Sequence, residues 1–160
     1  VFFIVLMATV FSYPFRYLGG DSLIIDLLQG TGFGDWGLLA VILGTIFILG
    51  FFLDWIEIVI ITLPIFYPVI SELNFAEYVG DPELAKVWIA VLIGLVLQTS
   101  FLTPPFGFAL FFVKGVSPPQ VTLAEVYRGA VPLVFIQIAG IVFVTLIPAL
   151  AVGLPALALN

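Results

Sequence analysis

The chain has 160 residues, 63% of them hydrophobic and 9% charged, with a mean hydropathy of +1.33; a soluble domain carries about 25% charged residues, so composition places it in the membrane class. A net charge of −6 excludes a nucleic-acid binder, which needs a basic face. Without Cys or His there are no disulfides, no structural zinc and none of the usual nucleophile–base pairs.

Taken in order, Val1 to Tyr17 reads as a truncated spanning helix of a larger membrane protein. Pro14 lies near its end, and Tyr13, Arg16 and Tyr17 serve as interface anchors. No basic region precedes it, which argues against a signal peptide. Gly19-Gly20 ends that helix. Asp21 or Ser22 can cap a short interfacial segment through Leu28, followed by a glycine-rich turn from Gly30 to Gly37.

Leu38 to Ile70 contains only two charges, Asp54 and Glu57. As one straight helix it would reach about 50 Å, well beyond a hydrocarbon core of about 30 Å, with both acids near its middle. A re-entrant hairpin resolves both problems. Leu38–Leu49 goes in, Gly50–Asp54 forms the tip, and Trp55–Val69 returns, bent by Pro64 and Pro68. The competing arrangement is a spanning helix from Leu38 to about Asp54 followed by an interfacial helix. Ser71 to Lys86 is then an acidic, solvated loop in which Gly80-Asp81-Pro82 marks a turn and a helix start.

Val87 to Val113 holds no charge and is long enough to span, but its centre cannot be ordinary helix. Pro104 and Pro105 lack amide donors, and Thr103 before them is pushed toward extended geometry. In lipid, a broken backbone survives only where protein or a wet cavity satisfies it. Thr99, Ser100 and Thr103 supply hydroxyls at that joint, the arrangement of a discontinuous helix in secondary transporters. Lys114 to Arg128 is a short loop containing Pro118-Pro119, which these two cations place in the cytoplasm. A small helix starts at Thr122, with Glu125 three residues on forming a capping box. Ala130 to Leu150 is the last span, ending near Pro148 with Pro155 beyond it, and Gln137 is explained by a packing hydrogen bond. The fold class is therefore all-α integral membrane, a single fragment with segments at 1–17, 38–70, 87–113 and 130–150.

Two stretches read together. The first is Gly50-Phe51-Phe52-Leu53-Asp54-Trp55-Ile56-Glu57-Ile58, continuing to Leu63-Pro64-Ile65-Phe66-Tyr67-Pro68; the second is Gln98-Thr99-Ser100-Phe101-Leu102-Thr103-Pro104-Pro105-Phe106-Gly107-Phe108. Both resemble the large membrane subunit of tripartite ATP-independent periplasmic (TRAP) transporters, as does Val126-Tyr127-Arg128-Gly129-Ala130-Val131-Pro132. The wording around Gln98–Phe108 is similar to the branch described as mannitol/chloroaromatic.

The resemblance implies a bacterial inner-membrane secondary transporter, not an enzyme. It would be driven by sodium and take up an organic acid handed over by a periplasmic binding protein. A small membrane subunit and the rest of the large subunit are implied partners, in a lipid bilayer, with no tightly bound cofactor. This chain would be the second inverted repeat of an elevator. Sodium would meet Thr99, Ser100 and Thr103 and backbone oxygen near Gly50. Asp54 either neutralises the ion or fixes the hairpin tip, and Glu57 is structural. Thr103, Pro104, Pro105 and Gly107 would face the substrate, where the second half-helix begins. Rival functions are a channel or assembly subunit, or an intramembrane aspartyl protease. The protease needs two facing Asp residues, and only Asp54 lies deep here.

Overall fold

The structure, a computed structural model, describes residues 2–20, 22, 23, 26, 30, 32–53, 55–103 and 107–159. These residues are helical throughout their regular elements: α1 (Phe2–Tyr17), α2 (Asp35–Leu49), α3 (Trp55–Glu72), α4 (Ala76–Val79), α5 (Pro82–Leu102), α6 (Phe108–Val116), α7 (Leu123–Leu146) and α8 (Ala149–Leu159). Among them α3, residues 82–99 of α5, and α7 are long and apolar enough to cross a membrane; α2 is a shorter apolar helix.

The helix boundaries follow local chemistry. Asp81 Oδ1 accepts from the amides of Glu83 at 2.8 Å and Leu84 at 3.0 Å, capping α5 with Pro82 in the first helical position. Gly80, just before, adopts φ +102°, a conformation that glycine takes without steric cost. The Thr122–Glu125 capping box forms as the spacing predicts, with Thr122 N–H donating to Glu125 Oε2 at 2.6 Å. It opens no separate small helix, however. α7 runs unbroken from Leu123 through Pro132, so Arg128 lies within that helix rather than in a loop. The same helix stops at Leu146, beside Pro148, near which the last span is expected to end and which cannot continue it.

α2 and α3 form an antiparallel pair. A turn at residues 50–53 joins them, and at the other end the Asn74 amide donates to Asp35 Oδ2 at 3.3 Å. Gly50 closes α2 at φ −63°, ψ −15°, so the turn does not use left-handed freedom. Pro64 and Pro68 sit inside α3 without ending it.

α5 is the hub, packing against α2, α3, α4, α6, α7 and α8, while α1 packs on α3. The core runs along one side of α5 through Trp88, Ile89, Leu92, Ile93, Val96 and Leu97, and takes Leu39, Ile42 and Ile46 from α2 and Ile58 from α3. Between helices in lipid such contacts stabilise by close packing rather than by dehydration. α7 by contrast leaves Phe135, Ile136, Val142 and Phe143 exposed.

Candidate functional site

The site expected from the sequence centres on the interruption between α5 and α6. α5 ends at Leu102 and α6 begins at Phe108; Thr103 and Gly107 between them are non-helical. Pro104, Pro105 and Asp54 lie outside the described residues, as does the side chain of Ser100.

Thr99 is fully buried, and its hydroxyl donates to the Leu95 carbonyl at 2.9 Å. Thr103 is half-buried, and its hydroxyl donates to the Thr99 carbonyl at 2.7 Å. Each hydroxyl thus spends its one hydrogen on the backbone of its own helix, leaving lone pairs to offer. The carbonyls of Ser100 and Phe101 gain nothing from four residues on, because positions 104 and 105 are prolines without an amide hydrogen. Gly107 is buried at the start of α6, where its carbonyl accepts from the Leu110 amide at 2.9 Å. The result is a set of oxygens that accept and cannot donate, next to a helix N-terminus.

The helix register brings the tip of the α2–α3 pair to this level. Trp36 at the start of α2 meets Trp88 of α5 with ring centroids 6.0 Å apart. From that shared point both helices lead into one core, to which Ile46 of α2 and Val96 of α5 belong. Gly50 lies 14 residues past Trp36, and Thr103 lies 15 past Trp88. At about 1.5 Å per residue both sit roughly 21–22 Å from the tryptophan pair. By this count the turn at 50–53 and Thr103 lie about equally far along their helices.

Among the described residues no three His, Cys, Asp or Glu side chains come together as a metal site. The described oxygens there, the Thr99 and Thr103 hydroxyls and the carbonyls of Ser100 and Phe101, are neutral, a donor set suited to hard cations rather than soft metals.

A family model, "Tripartite ATP-independent periplasmic transporter, DctM component", matches residues 1–150. The chain belongs to that family. It is 27% identical to the C4-dicarboxylate TRAP transporter large permease protein DctM of Pseudomonas aeruginosa over 96% of its own length and 33% of the relative's. It is 28% identical to the ectoine/5-hydroxyectoine large permease UehC of Ruegeria pomeroyi over 100% of its length and 35% of the relative's. It is 24% identical to the isethionate permease DctMQ of Oleidesulfovibrio alaskensis over 90% of its length and 21% of the relative's. This DctM-family chain spans about a third or less of the length of these relatives, which are transporter permeases and not enzymes. No solved structure matches it.

Two features of the DctM-family fold escape the sequence reading. Trp36, Phe75, Tyr78 and Trp88 form an edge-to-face cluster with centroids 4.9–6.0 Å apart. It closes the end of α7. The Trp88 indole donates to the Val144 carbonyl at 2.8 Å, and the Tyr78 hydroxyl donates toward the carbonyls of Thr145 at 2.9 Å and Leu146 at 3.1 Å. Val144 needs an outside donor because the residue four on is Pro148. The available signal was aromatic residues beside two polar loops, which reads first as a membrane-edge belt. The second feature is Gln137. Among the described residues, the packing hydrogen bond expected of it is not made at its oxygen: Oε1 is buried and none of them donates to it.

Proposed function

We propose that this chain is the ion- and substrate-binding half of a TRAP large permease. It carries out sodium-coupled uptake of an organic acid in a bacterial inner membrane. What supports the reading is the break after Leu102, where the Thr99 and Thr103 hydroxyls both donate to backbone carbonyls and the 50–53 turn counts to about the level of Thr103. In this reading α2 and α3 are the arms of a re-entrant hairpin, and α5 and α6 are the halves of one discontinuous helix.

Sodium sits among the hydroxyls of Thr99, Ser100 and Thr103, the carbonyls freed by Pro104 and Pro105, and backbone oxygen near Gly50. The end of α5 carries the negative pole of its dipole and favours the cation. Asp54, beside the tip, adds charge or fixes the turn. The start of α6 at Gly107 points its free amides and positive pole toward a carboxylate. Thr103, Pro104 and Pro105 complete the substrate wall. The cation neutralises the carboxylate it travels with, so binding of either strengthens binding of the other.

A periplasmic binding protein delivers the substrate, a small membrane subunit braces the scaffold, and the remainder of the large subunit supplies the other half of the site. The likeness of residues 98–108 to the mannitol/chloroaromatic branch groups the chain within the family. Relatives named for C4-dicarboxylate, ectoine and isethionate differ among themselves, and an organic acid is the substrate class that the α6 terminus suits.

The test is uptake by the full-length parent, reconstituted with its small subunit and binding protein, with and without a sodium gradient. Sodium should drive uptake, and Thr103→Ala and Ser100→Ala should each raise the sodium concentration required. Uptake indifferent to sodium, with both variants silent, would reduce the interruption to a kink. An ion current without the binding protein would instead mark a channel.

A further inference from the structure

We propose that the gap between α3 and α5 binds one zwitterionic phospholipid, with its phosphate on Lys86, its ammonium on Glu83 and an acyl chain along the gap. Lys86 lies 16 residues before Leu102 in α5, about 24 Å from the interruption, so the site is independent of the sodium reading.

A cavity of about 290 Å³ separates the two helices. Ser71 and Lys86 line its rim, where α3 ends and α5 begins, next to the polar segment 73–81. Leu63 and Ile93 line it 8 and 7 residues further in, about 12 and 10 Å along the two axes. Tyr67, which is exposed, and Ile89, which is buried, stand between. The walls thus pass from polar at the ends of two apolar helices to wholly apolar within, the profile of a phospholipid across the membrane edge. A second cavity, about 130 Å³, shares Ser71 and Lys86 with the first and extends to Asn74, giving a head group room beside the tail. Space of this kind within lipid forfeits dispersion contacts while it is empty, and an acyl chain recovers them.

The charges select the head group. Lys86 Nζ donates to Glu83 Oε1 at 2.7 Å, with the two side chains 63% and 72% exposed. An exposed pair of this sort holds its partners weakly, and a lysine ammonium has three hydrogens, of which Glu83 takes one. A phosphate can take another in a charge-assisted bond, and the Glu83 carboxylate can accept from an ammonium. A head that carries both charges matches this pair. A head with a net negative charge meets Glu83 uncompensated, in a stretch where Glu72, Glu77 and Asp81 add to it and Lys86 is the one cation between positions 71 and 86.

Native mass spectrometry tests this on the full-length subunit with its small subunit, delipidated and titrated with dioleoyl phosphatidylethanolamine or dioleoyl phosphatidylglycerol. The wild type should bind a first phosphatidylethanolamine about 10-fold more tightly than a first phosphatidylglycerol. Lys86→Gln should weaken phosphatidylethanolamine binding about 10-fold, the loss of one charge-assisted bond. Glu83→Gln should bring the two lipids to similar affinity. Ala90→Phe, which fills the cavity from its wall and leaves both charges, should abolish the tight site. Lys86→Gln, at an exposed position, carries the test should that variant not fold. Phe135→Leu, exposed on α7, should bind as wild type. Equal affinity of the wild type for both lipids, or tight binding that survives Lys86→Gln and Ala90→Phe, overturns the proposal. So does the absence of any tight phospholipid, the result if the rest of the subunit fills the gap. Sodium dependence of uptake, measured on the same preparation, holds or fails separately.

Discussion

Trp88 does two jobs that a smaller ring could not combine. Its face and edges complete the cluster with Trp36, Phe75 and Tyr78, and its indole N–H answers the carbonyl of Val144. That carbonyl is a creation of Pro148, which cannot donate back along the helix. Trp88→Phe keeps most of the ring packing and removes the donor. It should cost about 1–3 kcal/mol, the penalty of an orphaned buried acceptor. Trp88→Ala should cost more, about 3–5 kcal/mol, because a cavity opens as well. The hydrogen-bond explanation makes a sharper demand. Pro148→Ala returns an amide to the position four beyond Val144, so in the Trp88→Phe background it should recover part of the loss. Thermal unfolding of the full-length subunit carrying the single and double changes measures this coupling. Strict additivity would mean that Trp88 acts through packing alone.

At the scale of elements, prolines free carbonyls in two places with opposite consequences. At the end of α7 a protein donor fills the vacancy, whereas at the end of α5 the carbonyls of Ser100 and Phe101 lose their donors beside hydroxyls already committed elsewhere. Replacing Pro104 and Pro105 together by Ala restores both amides. The expected outcome is a longer α5, a subunit at least as resistant to heat as wild type, and uptake reduced by 10-fold or more. Lost stability with intact uptake would instead assign the prolines to folding alone. Much of this was legible in the sequence, because proline chemistry is local. The ends of α2, α3 and α5 and the Thr122–Glu125 box follow from residues within a turn of each boundary. The fusion of the Thr122 start with the span expected from Ala130 was not legible, since nothing local marks the Thr122 turn and the apolar run as one helix, and Pro132 is tolerated within α7. The partners of Trp88 and the surroundings of the Gln137 oxygen were not legible either. Both depend on which helix lies alongside, and a tryptophan near a polar loop has the same local sequence whether it faces lipid or caps a neighbour.

For the molecule as a whole, one long helix organises two different surroundings. α5 meets α2 and α3, whose turn counts to about the level of Thr103, and it also meets α7 and α8, with the end of α7 bonded to the aromatic cluster. If the proposed site lies at the interruption, it lies on a helix that meets both the α2–α3 pair and α7. The chain has no cysteine, so an introduced pair reports this arrangement directly on a cysteine-free parent. Leu53, in the turn, and Leu102, the last residue of α5, are each half-buried rather than sealed in the core. Leu53→Cys with Leu102→Cys should be joined by a short bifunctional maleimide, because the two positions count to about the same level on packed elements. Leu53→Cys with Leu84→Cys should not, since Leu84 lies 18 residues back along α5, roughly 27 Å away along its axis. If sodium and substrate hold the turn over the interruption, adding both should change the rate of the first cross-link at least severalfold and leave the second at background. Efficient joining of Leu53 to Leu84 would place the turn at the other end of α5, and the level counted for it beside Thr103 would be lost.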